Sequence, residues 1–258
     1  MTAEPEEVLE REEAGRPWKL WQMGKAAVVD RLRALPPVKR QAVFDMIREK
    51  HGLGALVDVR GDRARFWYRP EQLVTLEELK RKKMVLFVGN RGDGKTDSAV
   101  YLFDWLVRNG IAKHPRIFAA NADDVKKIVV FGLSGIMQLY ERGDPRRPRW
   151  MSADGHGTLR YPNGVVVNCY SAEVKKGSVG HAGDVDLYDD VTKWSGKEDA
   201  WNHARTSCRE GIGLGIVATS TGEGEQDIWN LIEGSAESST TLIKRLGGPD
   251  TDPPTRPN

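Results

Sequence analysis

Residues 84–110 read MVLFVGNRGDGKTDSAVYLFDWLVRNG, and this stretch decides the fold class. An apolar run from Met84 to Val88 leads into Gly89, and after four further residues come Gly94, Lys95 and Thr96. That is the spacing of a Walker A loop. Such a loop must wrap backbone N–H groups around a phosphate, which only small residues permit, and then feed a helix whose positive end faces the anion. The segment Gly89, Asn90, Arg91, Gly92, Asp93, Gly94, Lys95, Thr96 is therefore the expected phosphate cradle. Lys95 is placed to reach the β- and γ-phosphates of a nucleotide, and the Thr96 hydroxyl to meet Mg²⁺. The pattern alone arises by chance in glycine-rich chains; the apolar strand before it and the amphipathic helix after it make it specific. Arg91, inside the loop, is a candidate arginine finger supplied in cis. Its ordinary alternative is a solvated residue or an ion pair with Asp93.

Working outward, short apolar runs alternate with amphipathic stretches, the texture of an α/β domain with a largely parallel sheet. Strands are expected near 84–88, 116–120, 185–189, 214–219 and 240–244. Between them LRYPNGVVVNCYSA (159–172) has two runs flanking Pro162-Asn163-Gly164, a hairpin signal. The run Val185 to Tyr188 ends in Asp189-Asp190. At such a strand end the first acid, Asp189, is expected to hold Mg²⁺ through water, and the second, Asp190, to orient the attacking water. A pair of solvated acids at an exposed strand end is the plain alternative. Asp186 interrupts the apolar run and receives no role. The later run GIVATSTGEGE ends in Thr219-Ser220-Thr221, either a γ-phosphate sensor that couples hydrolysis to motion or a hydroxyl-rich turn.

Residues 1–65 read as a helical lead-in or lid segment, with VVDRLRAL and VKRQAVFDMIREKHG placing apolar residues three and four apart. Residues 66–246 are assigned to the nucleotide-binding domain and 247–258 to a disordered proline-rich tail. Net charge is +2, but the first 13 residues hold six glutamates and one arginine, leaving +7 on the remainder. That body can present a basic face to phosphate. Cys169 and Cys208 are too few for a disulfide framework and lack zinc spacing. No apolar run approaches the roughly 20 residues that cross a bilayer, and the acidic start is unlike a signal peptide, so a cytoplasmic protein is expected.

Taken in order, these motifs resemble those of the terminase large subunits of tailed bacteriophages and related gene-transfer particles. The resemblance runs from Tyr68 to about Ile232. It begins with Arg69-Pro70-Glu71-Gln72, similar to the family's adenine-recognition motif, and passes through the Gly89–Thr96 loop, Tyr161-Pro162-Asn163-Gly164 and Ser171-Ala172-Glu173. It continues with Gly180, the run Asp189-Asp190-Val191-Thr192-Lys193-Trp194, and Thr219-Ser220-Thr221, which is similar to the family's coupling motif. The chain departs from the pattern at Asp190, where glutamate is usual, at Val179, where arginine is common, and at Gly222, which replaces a proline.

The resemblance implies a P-loop NTPase of the additional-strand catalytic-acid type: a mostly parallel central sheet flanked by helices, behind an N-terminal helical segment. It implies ATP and Mg²⁺ as cofactors, with Gln72 reading adenine, and hydrolysis that pumps double-stranded DNA into a procapsid. Implied partners are the portal protein, the small terminase subunit and a nuclease domain or chain. Copies are expected to form a ring on the procapsid in the host cytoplasm, absent from the mature virion, and to be monomeric in isolation. About 25 residues follow Ile232, too few for the family's nuclease half, so no DNA cleavage is expected of this chain. A trans-acting arginine is sought among Arg142, Arg146, Arg147 and Arg149, for which solvent or DNA-backbone contact is an equal reading. Two rivals stand beside the terminase: a helicase-like ATPase, and a nucleotide-binding assembly switch in which the short Asp190 hydrolyses weakly.

Overall fold

The structure is a computed structural model that describes Pro36, Gln72 and residues 74–140, 143–153, 156–173, 182–233 and 235–246. The expected helical lead-in (Pro36 apart), Arg69 to Glu71, Arg142, Val179, Gly180 and the tail fall outside the described residues. The chain divides into two compact units, Met1–Trp67 and Tyr68–Asn258.

Eight strands form one sheet: β1 (Met84–Gly89), β2 (Pro115–Ala119), β3 (Arg149–Ala153), β4 (His156–Arg160), β5 (Val166–Ser171), β6 (Val185–Asp189), β7 (Leu214–Ser220) and β8 (Thr241–Leu246). Their order is β3-β4-β5-β2-β6-β7-β1-β8. The six from β5 to β8 are parallel, and β4 and β3 extend one edge antiparallel. Helix α1 (Leu76–Leu79) precedes β1, helices α2 (Lys95–Arg108), α3 (Ala122–Asp124), α4 (Lys197–Ser207), α5 (Glu223–Ile232) and α6 (Ala236–Ser239) lie between strands in sequence, and α3 runs into a π-helical turn, Val125–Val130. One strand, β7, stands between the loop strand β1 and the acidic strand β6, the insertion that defines the additional-strand class. Among the described residues no helix is long and apolar enough to cross a membrane.

Every residue of β1, β2 and β6 is buried, as parallel strands covered on both faces require. On one side Met84, Leu86 and Val88 pack with Tyr188, Val217, Trp194, Trp201 and Ile228. Helix α2 buries Ala99, Val100, Leu102, Phe103, Leu106 and Val107, a stripe at helical spacing that fixes the helix against the sheet. Its far end is tied down by polar contacts. The buried Asp104 carboxylate accepts from Tyr140 Oη at 2.5 Å and Tyr161 Oη at 2.8 Å, and pairs with Arg108 Nε at 2.6 Å. Burial pushes the Asp104 carboxyl above its usual range despite these partners. Asn163, in the β4–β5 turn, donates to the Val107 carbonyl at 2.8 Å, so the hairpin caps the helix that carries the phosphate loop.

The acid without a role, Asp186, forms a buried ion pair. Its Oδ1 accepts from Arg116 Nε at 2.8 Å, and its Oδ2 from Arg116 Nη2 at 2.6 Å and Tyr188 Oη at 2.6 Å. Arg116 is 1% exposed and Asp186 0%, and the guanidinium also reaches Ser207 Oγ and the Ala204 carbonyl. Gly183 makes room: a Cβ there would lie 2.3 Å from Arg116 Nε. The pair links β2 and β6 to α4 at a position where neither ion can reach water. Asp186→Ala, which strands the guanidinium, is expected to destabilise the fold by about 3–5 kcal/mol, read as a lower urea midpoint. The double variant Arg116→Met with Asp186→Leu is expected to lose less, and equal or greater loss in the double variant contradicts this account.

Candidate functional site

Three strand ends, of β1, β6 and β7, meet at the carboxyl end of the sheet, where ligands bind in open α/β folds. Parallel pairing sets Gly89 of β1 beside Ser220 of β7, and Asp189 of β6 beside Ala218. The phosphate loop, the acidic pair and the hydroxyl run are thereby brought together.

The loop begins at Gly89, and its turn is closed by Asp93, whose carboxylate accepts from the Asn90 N–H at 2.6 Å. Asn90, Arg91 and Gly92 are exposed. Gly94 caps α2 in the left-handed region at φ 84°, where a side chain would be strained. A Cβ there would also lie 2.6 Å from Gln72 Nε2. The Gln72 amide is buried against the first turn of α2 and donates to Ser98 Oγ at 3.2 Å, so the residue expected to read adenine is set beside the loop. Lys95 turns its ammonium back over the loop, donating to the Asn90 carbonyl at 3.3 Å.

Thr96 Oγ1 donates to Asp189 Oδ1 at 3.2 Å, so the two residues expected to serve Mg²⁺ already touch. Burial, and next the charge on Asp190, push the Asp189 carboxyl up to about 6. A buried carboxylate and a hydroxyl side by side are the hard oxygen donors a small divalent cation takes. Bound there, a cation would pull Asp189 back down.

Asp190 follows in the left-handed region, φ 45° and ψ 58°, a conformation open to aspartate but sparsely populated. Its Oδ1 accepts from Thr192 Oγ1 at 2.8 Å, and its Oδ2 pairs with Lys193 Nζ at 2.6 Å. No spacing in the sequence marked Lys193 as a partner; the turn Val191–Lys193 brings it back.

The hydroxyl run reaches the loop directly, since Thr221 Oγ1 donates to Asn90 Oδ1 at 2.9 Å. Thr219 is fully buried, and its Oγ1 has no hydrogen-bond partner among the described residues. Of the basic group, Arg142 lies outside the described residues. Arg146 is held by Asp144 at 3.0 Å, while Arg149 opens β3 opposite Arg160, two like charges facing across the edge hairpin.

No family model and no curated protein matches the sequence. Solved structures do. The large terminase of the thermophilic bacteriophage D6E matches with a TM-score of 0.50 at 16% identity, covering 69% of this chain and 45% of that one. The same protein in complex with ADP matches with a TM-score of 0.49 at 16% identity, over 69% and 45% of the two chains. The large terminase ATPase domain of Thermus phage P74-26 gives a TM-score of 0.45 at 13% identity, over 70% of this chain and 81% of that domain. This chain thus spans less than half the length of the D6E protein. Over the 69% that superposes, it has the fold of a bacteriophage large terminase.

Proposed function

We propose that this chain is the motor part of a large terminase, hydrolysing ATP with Mg²⁺ to drive double-stranded DNA into a procapsid. The observation that carries the reading is the convergence of loop, acid and hydroxyl: Thr96 on Asp189, and Thr221 on Asn90. Gln72 beside Gly94 supports nucleotide recognition at the same place. The backbone N–H groups of Gly89 to Thr96 bind phosphate, and the Lys95 ammonium meets the charge that develops on the γ-phosphoryl oxygens. Arg91, exposed in the loop, would add a second cation. Thr96 and Asp189 would hold Mg²⁺, which when bound neutralises charge on the β- and γ-phosphates. Asp190 accepts a proton or hydrogen bond from the attacking water.

The hydroxyl run offers a path from hydrolysis to motion. A buried hydroxyl without a partner costs about 1–3 kcal/mol, which a rearrangement giving Thr219 a partner would recover. The Thr221–Asn90 bond gives the loop a direct hold on that strand end. Under this proposal copies assemble as a ring at the portal in the host cytoplasm, with the small terminase subunit and a nuclease domain or chain as partners.

The test is steady-state ATP turnover of the purified chain with and without linear duplex DNA, together with a strand-displacement assay. Turnover that duplex stimulates without unwinding is the expected result. Unwinding would assign the chain to helicase-like ATPases, and tight ATP binding without turnover in the presence of DNA and portal would make it an assembly switch.

A further inference from the structure

We infer that Lys193 is a positioning residue for hydrolysis, fixing the Asp190 carboxylate from the far side of its own turn. The inference rests on Asp190 being the residue that orients the attacking water.

The backbone comes first. Asp190 leaves β6 at positive φ, and one 3-10 turn follows, closed by Lys193 N–H on the Asp190 carbonyl at 3.0 Å and Trp194 N–H on the Val191 carbonyl at 3.0 Å. The turn is clamped at its end. The Trp194 indole N–H donates to the Asp189 carbonyl at 3.1 Å, and its buried ring lies 6.0 Å from that of Tyr188 and 6.4 Å from that of Phe118. With both ends held, the side chain three residues after Asp190 returns beside it.

Next comes the carboxylate. Its two oxygens offer about four acceptor sites. Thr192 takes one on Oδ1 and Lys193 one on Oδ2, so the group is gripped from both sides while acceptor capacity remains for a water. Aspartate projects one methylene less than glutamate, and its position therefore depends on the backbone and on these two contacts. The charge balance points the same way. Asp190 stands next to Asp189, and the Lys193 ammonium offsets the repulsion between neighbouring carboxylates.

A merely decorative surface ion pair is the competing account, and it predicts something different. The Lys193 side chain is 61% exposed, so the pair contributes little to folding stability, and its loss should not unfold the chain. A small misplacement of a reacting group, by contrast, lowers turnover severely.

The experiment compares Lys193→Met, which keeps the stem and removes the charge, with Lys193→Arg, Asp190→Asn and the double variant Lys193→Met with Asp190→Asn. Each is measured in the full chain for kcat and KM of ATP with duplex DNA, and for thermal midpoint. Lys193→Met is expected to lower kcat about tenfold, with KM changed less than about twofold and the midpoint unchanged. Lys193→Arg should recover most of the loss. In the Asp190→Asn background Lys193→Met should cost less than about twofold more, because the two act through one group. An inactive Asp190→Asn beside a fully active Lys193→Met overturns the inference and leaves the reading of Asp190 standing. So does additive loss in the double variant, or a rise in KM alone. An active Asp190→Asn overturns both.

Discussion

Lys95→Ala is expected to abolish ATP turnover in a chain that remains folded. Lys95 is the first residue of α2, partly exposed, and its one described side-chain contact is the 3.3 Å hydrogen bond to the Asn90 carbonyl. That bond joins two residues of the same loop and holds no core element in place. Alanine is the best helix former, so the helix start should tolerate it. Under the proposed function, what disappears is the cation that meets the β- and γ-phosphates. Removing one preorganised stabiliser of transition-state charge typically costs about two to three orders of magnitude in kcat, and here the lost group carries a full charge. Phosphate release measured against a matched denaturation curve checks both halves of the claim. A folded Lys95→Ala chain with near-normal turnover would remove the phosphate-loop assignment, and the mechanism with it.

Much of the fold was legible because buried parallel strands leave an unusually plain signal. The runs expected near 84–88, 116–120, 185–189, 214–219 and 240–244 correspond to β1, β2, β6, β7 and β8, with ends differing by a residue or two. Pro162-Asn163-Gly164 marked the turn between β4 and β5. β3 was not read as a strand. It is a five-residue edge strand beginning at Arg149 in a basic stretch, with Met151 47% exposed, so neither a continuous apolar run nor a clean alternation announces it. Arg116 and Asp186 illustrate a different limit. Each looks like an interruption in an apolar strand, and the charge of each is met by the other, 70 residues away, which no local spacing encodes.

The site shows the same division. Gly89 to Thr96 is contiguous, and the chemistry expected of it was read from the spacing alone. Asp189 could be named from the strand end, and the 3.2 Å contact with Thr96 places it beside the loop. The hydroxyl run could be named as a group, but which hydroxyl touches the loop depends on the register of β7 against β1, and Thr221 is the one that does. The grip of Thr192 and Lys193 on Asp190 follows from a positive φ at a non-glycine residue, which sequence patterns seldom reveal.

Asp190→Asn should leave nucleotide binding in place and lower turnover by about two orders of magnitude or more, the scale of a lost general base. The substitution suits the backbone: asparagine, like aspartate, adopts the left-handed region readily, so φ 45° is no obstacle. The side-chain amide keeps an oxygen that can accept from Thr192, preserving one of the two contacts that orient the group. The charge goes, and with it the ion pair to Lys193 at 2.6 Å and the ability to draw a proton from water. Loss of that charge also acts on Asp189, whose carboxyl is pushed up to about 6 by burial and by Asp190. Without its charged neighbour Asp189 ionises more readily, so affinity for Mg²⁺ and nucleotide should hold or rise while chemistry fails. Equilibrium binding of a fluorescent ATP analogue and single-turnover hydrolysis on the same preparation separate the two effects. Full turnover by Asp190→Asn would transfer the water-orienting role to another residue, and weakened binding with an intact chemical step would move Asp190 into the metal shell beside Asp189.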